Sequence, residues 1–473
     1  VIFIAPGLVA FLHEEEDHFA FVHSGLITLG AGALCIYLTR GRQLRFSHKE
    51  GFAIVSFGWV VMGLFGALPF LLTRLNGSFQ FSLVDAFFET VSGFTTTGAT
   101  IIDDVESLPR GLLLWRSLTH WLGGMGIILL FLAVLPALGA GGCQLFRAEI
   151  PGPTKDKLSP KIGQTAKTLW AIYLGITLLG IFSLKLAGMD WLESVCHTFG
   201  TVATGGFSTR NASIAAFGNW RIDAIISVLM FLCGCNFILF LQMLKGNWRA
   251  PLQSAEFKFY VLLIIFSSAV ITGYIYLDDQ LEPVGFLNSM RYATFQVLSI
   301  LTTTGYATHD YDLWAMPCRL LLLFLMIIGG CAGSTSGGLK VFRVLITFKA
   351  GWREIFQLLR PRAILPLRVD GKSLGEELIR SILGLAVLYF VCFCASACFI
   401  VVCEGDRYDL MSLLSLPISC LSNVGPGLDA FGPTDNYSAL TDPSKWCLSF
   451  LMLLGRLEIY SLLVILHRDM WRR

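Results

Sequence analysis

Thr95-Thr96-Thr97-Gly98-Ala99 is a run of small, hydroxylated residues around a glycine, and the chain repeats it in altered form. The other copies are Val202-Ala203-Thr204-Gly205-Gly206, Thr302-Thr303-Thr304-Gly305-Tyr306 and Ser422-Asn423-Val424-Gly425-Pro426. Each is reached through a short apolar segment and followed by a long one. Internal repeats of this kind are read before any single segment, because they set the architecture. The unit is span, short helix, glycine loop, span, and the chain holds four of them.

Composition fixes the medium. Hydrophobic residues make up 55% and charged residues 14% of the 473, and apolar runs long enough to cross a bilayer recur throughout. These features imply an all-α integral membrane protein without a large soluble domain. The 13 cysteines, among them Cys233, Cys235, Cys392, Cys394 and Cys398, lie mostly in apolar spans without CxxC pairing. They read as buried thiols rather than a disulfide frame or a zinc site.

Residues 1–48 read as two N-terminal helices, the first broken by Pro6-Gly7, ending near Leu12 and too short to span; it is read as truncated. The second covers about Phe19 to Leu38. Unit one (49–145) places a span at Gly51–Leu72, a short helix at Leu83–Val91 and a span at Leu112–Leu138. Unit two (146–250) has Thr168–Leu186, Trp191–Phe199 and Ile222–Leu244. Unit three (251–362) has Phe257–Leu277, Phe286–Leu298 and Leu313 to about Phe348. Unit four (363–473) has Leu374–Val402, Leu410–Leu421 and Trp446–Leu466. The short helices cannot cross hydrocarbon and suit re-entrant segments packed within protein.

Charge supplies the orientation. The junctions between units are basic: Arg40, Arg42, Arg45 and Lys49; Lys155, Lys157, Lys161 and Lys167; Lys245, Arg249 and Lys258; Lys349 to Lys372; and the tail Arg468, Arg472, Arg473. The segments beside the glycines carry Asp103, Asp104, Glu106, Asp278, Asp279, Glu282, Asp310, Asp312, Asp429, Asp435 and Asp442 instead. The positive-inside rule puts the junctions and C-terminus in the cytoplasm and the glycine loops outside, and an acidic outer mouth concentrates cations.

A cation stripped of water needs oxygen ligands, and backbone carbonyls supply them without net charge, as in the filter of a potassium channel. Aiming successive carbonyls at one axis requires residues at positive φ, which glycine reaches freely. Gly98, Gly205, Gly305 and Gly425 are expected to take that conformation. The carbonyls are expected from Thr96, Thr97, Ala203, Thr204, Thr303, Thr304, Asn423 and Val424. One such glycine merely ends a helix; four in equivalent positions read as a pseudo-fourfold pore.

The last span of unit three is interrupted by Gly329-Gly330-Cys331-Ala332-Gly333-Ser334-Thr335-Ser336-Gly337-Gly338. Each interior glycine costs a helix about 0.8–1 kcal/mol relative to alanine, so the helix is expected to open there. Irregular backbone at that depth lines a cavity or is buried in protein, which reads as a movable plug below the loops. Close packing through small residues is the competing account, and a phosphate loop is rejected because no GK[ST] follows. Arg456, in the last span, is expected to contact the plug and form a cationic barrier, with snorkelling or structural pairing as its alternative. Glu458 is a candidate partner, although residues two apart do not share a helix face. Glu89 is expected to hold loop amides. No HExxH, no exposed GxSxG and no intramembrane nucleophile–base pair occurs, so no enzyme is expected.

The chain resembles the Trk/Ktr/HKT potassium transporter superfamily, closest to its bacterial Trk branch. The carrying strings are FFETVSGFTTTGAT (87–100), HWLGGMGI (120–127), FRAEIPGPTKDKLSP (146–160), TVATGGFSTRNAS (201–213), GGCAGSTSGGLK (329–340), SNVGPGL (422–428) and GRLEIYSLLVIL (455–466). The resemblance implies potassium uptake through the bacterial inner membrane, K⁺ at the loop residues and gating by the glycine segment with Arg456. It further implies a homodimer and cytoplasmic nucleotide-binding TrkA-type (RCK) subunits, with ATP/ADP or NAD bound on that partner alone. No covalent cofactor and no nucleic acid are expected. A potassium:proton or potassium:sodium symporter is the alternative, disfavoured by repeats of one sense with a single broken span.

Overall fold

Each of the four glycine loops follows a helix too short to cross a bilayer. These helices are Leu83–Phe94, Trp191–Ala203, Phe286–Leu301 and Leu410–Ser422. The computed structural model describes residues 2–15, 17–40, 48–75, 78–79, 81–134, 159–278, 285–363 and 365–472. The expected end of the unit-one span at Leu138, the 145/146 boundary, most of FRAEIPGPTKDKLSP, and Arg42, Arg45, Asp279, Glu282 and Arg473 lie outside the described residues.

The short helices run one to four residues further than their apolar pattern suggests. Threonines extend them by bonding back one turn: Thr95 Oγ1 to Val91 O (2.6 Å), Thr201 Oγ1 to His197 O (2.6 Å) and Thr302 Oγ1 to Leu298 O (2.7 Å). Their starts are set by caps: Ser82 Oγ accepts from Asp85 N, and Asp190 and Glu193 form a capping box.

One rule describes the packing. Each short helix contacts both long helices of its own unit and the second long helix of the preceding unit. The first lies against His48–Gly66, Arg110–Val134 and, from unit four, Asp442–Arg456. The second lies against Ser159–Leu186, Trp220–Gly234 and Arg110–Val134 of unit one. The third and fourth continue the series, so the units close in cyclic order. Polar side chains collect at the centre: Thr90, Ser92, Ser194, Gln296, Ser299, Ser415 and Ser419 are buried. Large apolar ones such as Leu178, Phe182, Leu262, Phe266, Val387 and Phe390 are exposed on the outer helices. This inversion suits a protein surrounded by lipid, not water.

Among the described residues, five helices are long and apolar enough to cross a membrane: His18–Thr39, Lys49–Leu72, Ala166–Leu186, Ala255–Leu277 and Glu376–Glu404. The second long helices differ from expectation, because three are broken rather than one. Trp220–Gly234 and Phe237–Leu244 meet at 91°, and Asp442–Arg456 and Tyr460–Leu466 at 118°. At the first break Asn236 Oδ1 accepts from Ile238 N (2.9 Å), so its side chain caps a new helix start. At the second, Glu458 and Ile459 take φ of 58° and 50°, which reverses the chain. Neither break involves proline, and an apolar pattern cannot register them.

Candidate functional site

All four short helices end alike. The first residue past the helix turn is left-handed: Thr96 (φ 53°), Thr204 (55°), Thr303 (56°) and Asn423 (57°). Two residues on stands a left-handed glycine: Gly98 (83°), Gly206 (82°), Gly305 (83°) and Gly425 (106°). Paired amide bonds close each turn, Thr96 N to Gly93 O and Thr97 N to Ser92 O in the first, Thr303 N to Ile300 O and Thr304 N to Ser299 O in the third. This is the Schellman arrangement. The second loop is therefore one residue out from the sequence reading. Gly206, not Gly205, is its left-handed glycine, and Thr204-Gly205-Gly206 matches Thr96-Thr97-Gly98, which leaves Ala203 inside the helix. The adjacent glycines Gly205-Gly206 were the signal, and a single sequence could not rank them.

The four loops touch in a closed ring. A β-carbon on Gly98 would fall 2.0 Å from Gly205 O, one on Gly206 2.0 Å from Thr304 O, one on Gly305 2.3 Å from Val424 O, and one on Gly425 2.5 Å from Thr97 O. Each left-handed glycine thus abuts the carbonyl of the equivalent residue in the next loop, and the lack of side chains allows that approach. On one side of the ring lies a cavity of about 80 Å³ lined by all four glycines with Thr100, Arg116, Asp435 and Tyr437. That is room for several waters.

Buried hydrogen bonds hold the ring. Gly425 O accepts from Ser419 Oγ (2.9 Å) and Tyr437 Oη (2.6 Å), and Tyr306 O accepts from Ser299 Oγ (2.6 Å). Glu89, fully buried, accepts from Ile101 N (3.1 Å), Thr100 Oγ1 (3.0 Å) and Arg116 Nε (2.8 Å). It holds a loop amide, as its position suggested, and the arginine partner is new. Removing one member of a buried ion pair strands the other's charge at about 3–5 kcal/mol. Glu89→Ala is expected to lower the unfolding temperature of the purified protein markedly, a loss that Arg116→Ala in the same chain should not double.

On the other side of the ring the helix of unit three opens as expected, stopping at Ile328 and resuming at Val341. The intervening segment is anchored to its neighbours. Cys331 N donates to Gly234 O (2.9 Å) and Phe237 N to Gly333 O (3.2 Å), both at the broken helix of unit two. Gly337 N donates to Thr303 Oγ1 (2.7 Å), Thr335 Oγ1 to Val202 O (3.1 Å), and Ala332 N to Glu256 Oε1 (2.5 Å). Lys340 Nζ turns back onto Ser336 O, so it serves its own segment. Gly329, Gly333 and Gly338 are left-handed, whereas Gly330 and Gly337 serve close approach: a β-carbon on Gly337 would meet Ser422 O at 2.0 Å.

Arg456 is 3% exposed and bridges two units, with Nη1 on Thr335 O (2.7 Å) and Nη2 on Gly123 O (3.1 Å). It contacts the segment through one carbonyl. Hydroxyls of the segment bond elsewhere, Ser334 Oγ to Cys331 O (2.6 Å) and Thr335 Oγ1 to Val202 O. Glu458, at the chain reversal, pairs with Arg343 Nη2 at 2.7 Å, 115 residues away in the chain. Sequence reading missed Arg343 and Glu256, whose partners Glu458 and Ala332 are distant in the chain.

Between the third loop and its following helix, Asp312 accepts from Asp429 N (2.9 Å) and joins units three and four. Burial, more than its neighbours Asp310 and Asp429, pushes its carboxyl up to about 7, against the opposing Asp429 amide and Arg319. A raised pKa favours the protonated native form, so this contribution is full below the usual 3.8 and is lost as pH rises through about 7. Unfolding temperatures at pH 5 and pH 8 are expected to differ in favour of pH 5. Asp312→Asn, which keeps an acceptor for Asp429 N, should narrow that difference.

A helical shell with an apolar outer face around a polar ring of four loops defines a multi-span membrane protein. The chain belongs to the TrkH family of cation transport proteins, whose model matches residues 17–471. It is 38% identical to the Trk system potassium uptake protein TrkH of Escherichia coli K12, over 99% of this chain and 95% of that one. It is 35% identical to the uptake protein TrkI of Halomonas elongata, over 100% and 94%. The crystal structure of the potassium transporter TrkH from Vibrio parahaemolyticus superimposes with a TM-score of 0.89 at 34% identity, covering 99% and 96% of the two chains.

Proposed function

We propose that this protein takes up potassium across the bacterial inner membrane by channel-like conduction through the ring of four loops. The observation that carries the reading is the closed cycle of contacts between each left-handed glycine and the next loop's carbonyl. That cycle surrounds one axis with the backbone of Thr96-Thr97-Gly98, Thr204-Gly205-Gly206, Thr303-Thr304-Gly305 and Asn423-Val424-Gly425. Carbonyl oxygens so placed can replace a cation's hydration shell. The Gly329–Gly338 segment, anchored against the inner side of that ring, serves as the gate, and Arg456 is its latch. The acidic loops face outward and the basic junctions and C-terminus the cytoplasm, following the charge asymmetry.

The potassium in the names of the relatives supports the choice of ion. The Trk system in those names also supports a cytoplasmic regulatory partner, which we take to be a nucleotide-binding TrkA-type ring docking on the basic Lys349–Lys372 face, under a homodimer of this chain. Coupled potassium:proton or potassium:sodium symport is the second reading. Three broken helices are a feature that coupled carriers share, so the number of breaks does not discriminate. The most deeply buried acids near the ring, Glu89 and Glu256, are occupied by Arg116 and backbone amides.

Purified protein in liposomes decides between them. Channel-like conduction predicts K⁺ flux down its own gradient with no proton movement. Stoichiometric proton or sodium entry with K⁺ would replace it by symport, and absence of K⁺ flux with or without partner subunits would remove the proposal.

A further inference from the structure

Gly205 stands where the other three loops carry a side chain. Its counterparts are Thr97, Thr304 and Val424, whose side chains are fully buried. Thr97 Oγ1 is bonded to Thr95 Oγ1 (2.8 Å) and accepts from Asn423 Nδ2 (3.0 Å), and Thr304 Oγ1 is bonded to Thr302 Oγ1 (2.8 Å). In the second loop that volume belongs to a side chain of another unit. A β-carbon on Gly205 would lie 2.0 Å from His120 Nδ1 and 2.5 Å from its Cγ and Cε1.

His120 sits on the Arg110–Val134 helix of unit one and is fully buried. Its ring is stacked on Phe207 with centroids 4.1 Å apart and planes at 16°, and the Arg116 guanidinium lies 4.2 Å from the Phe207 ring. Neither ring nitrogen has a hydrogen-bond partner among the described residues. Burying two unbonded polar atoms is costly, so the ring is held there by its shape and stacking. Gly205 O in turn touches Gly98 of the first loop. The imidazole of unit one thereby sets where the second loop's carbonyl meets unit one.

We propose that His120 is a specificity-determining positioning residue: its ring replaces the side chain that Gly205 lacks and fixes the Gly205 carbonyl in the ring. The proposal rests on the reading of that ring as the ion filter. Without the ring, the Gly205 carbonyl is free to retreat from the axis, and one of four coordinating positions loosens.

The test is the K⁺/Na⁺ flux ratio of full-length variants in liposomes. His120→Ala is expected to lower the ratio about tenfold, the factor that corresponds to 1.4 kcal/mol. His120→Phe keeps the flat stacked ring without nitrogens and is expected to recover most of that loss. Gly205→Ala lowers the ratio by driving its methyl into the imidazole, and adding His120→Ala restores part of it, a coupling that two independent sites would lack. An unchanged ratio in well-folded His120→Ala overturns the proposal, as does His120→Phe as damaging as alanine. Should Gly205→Ala fail to fold, the alanine and phenylalanine variants of His120 still decide. Gly98→Ser in the same assay separates the two levels. If it lowers the ratio while His120→Ala does not, only this inference fails; if neither changes it, the filter reading fails as well.

Discussion

Alanine in place of Arg456 is expected to raise basal cation flux and to leave the K⁺/Na⁺ ratio near its starting value. The guanidinium donates to Thr335 O in the glycine segment and to Gly123 O in unit one, so it ties the segment to the far side of the axis. A charge-assisted hydrogen bond of this kind contributes about 1.5–3 kcal/mol, roughly a ten- to hundredfold change in a closed–open equilibrium. On the proposed conduction path its positive charge would also oppose a cation leaving the ring, a second barrier that alanine would remove. Selectivity should hold because the ring's own supports, Ser299, Ser419 and Tyr437, do not involve Arg456. Removing Gly333 to Ser336, the centre of the segment, should raise flux similarly. The two changes combined should give little more than either alone, because both abolish one contact. Flux assays or single-channel recordings of the three proteins are the measurement. Flux at or below the wild-type level in a well-folded Arg456→Ala protein would make Arg456 a structural residue and the glycine segment a packing device.

The second large effect is on selectivity. Serine at Gly98, Gly206, Gly305 or Gly425 is expected to collapse discrimination between K⁺ and Na⁺. Two penalties act together at each site. A non-glycine residue in a sparsely populated backbone region costs about 1–3 kcal/mol, and its β-carbon would fall 2.0–2.5 Å from the carbonyl of the neighbouring loop. That contact is backbone against backbone and cannot be relieved by a side-chain rotation, so the carbonyl itself must move. Gly206 is the informative site, since the sequence pattern alone assigns this role to Gly205. Liposome flux under separate K⁺ and Na⁺ gradients measures the outcome, and four folded variants with unaltered ratios would dismiss the ring as the selective element.

Much of this protein could be read without coordinates. The four short helices ahead of the glycine loops, the opening of the helix between Ile328 and Val341 and the contact of Glu89 with a loop amide were legible because each has a local cause. Apolar runs mark spans, five glycines in ten residues cannot stay helical, and an acid beside a loop seeks amides. Likeness between copies then supplied what no one segment could, the equivalence of four loops.

What escaped the sequence are relations between residues far apart in the chain. The left-handed conformation falls on Gly206 because Thr204 already occupies the turn position that Thr96, Thr303 and Asn423 take in the other loops. Two adjacent glycines are equally permissive, so only the closing of the helix end chooses between them. The breaks at Cys235-Asn236 and Glu458-Ile459 carry neither proline nor a glycine run to mark them. They exist because Asn236 caps a new helix and because Glu458 reaches Arg343, 115 residues away in the chain. Arg456 was visible as a charge in a span, but its two acceptors come from units one and three. Local propensity fixes where backbone can bend; which bends close on one another is settled by packing among four units, and that is a property of the tertiary structure.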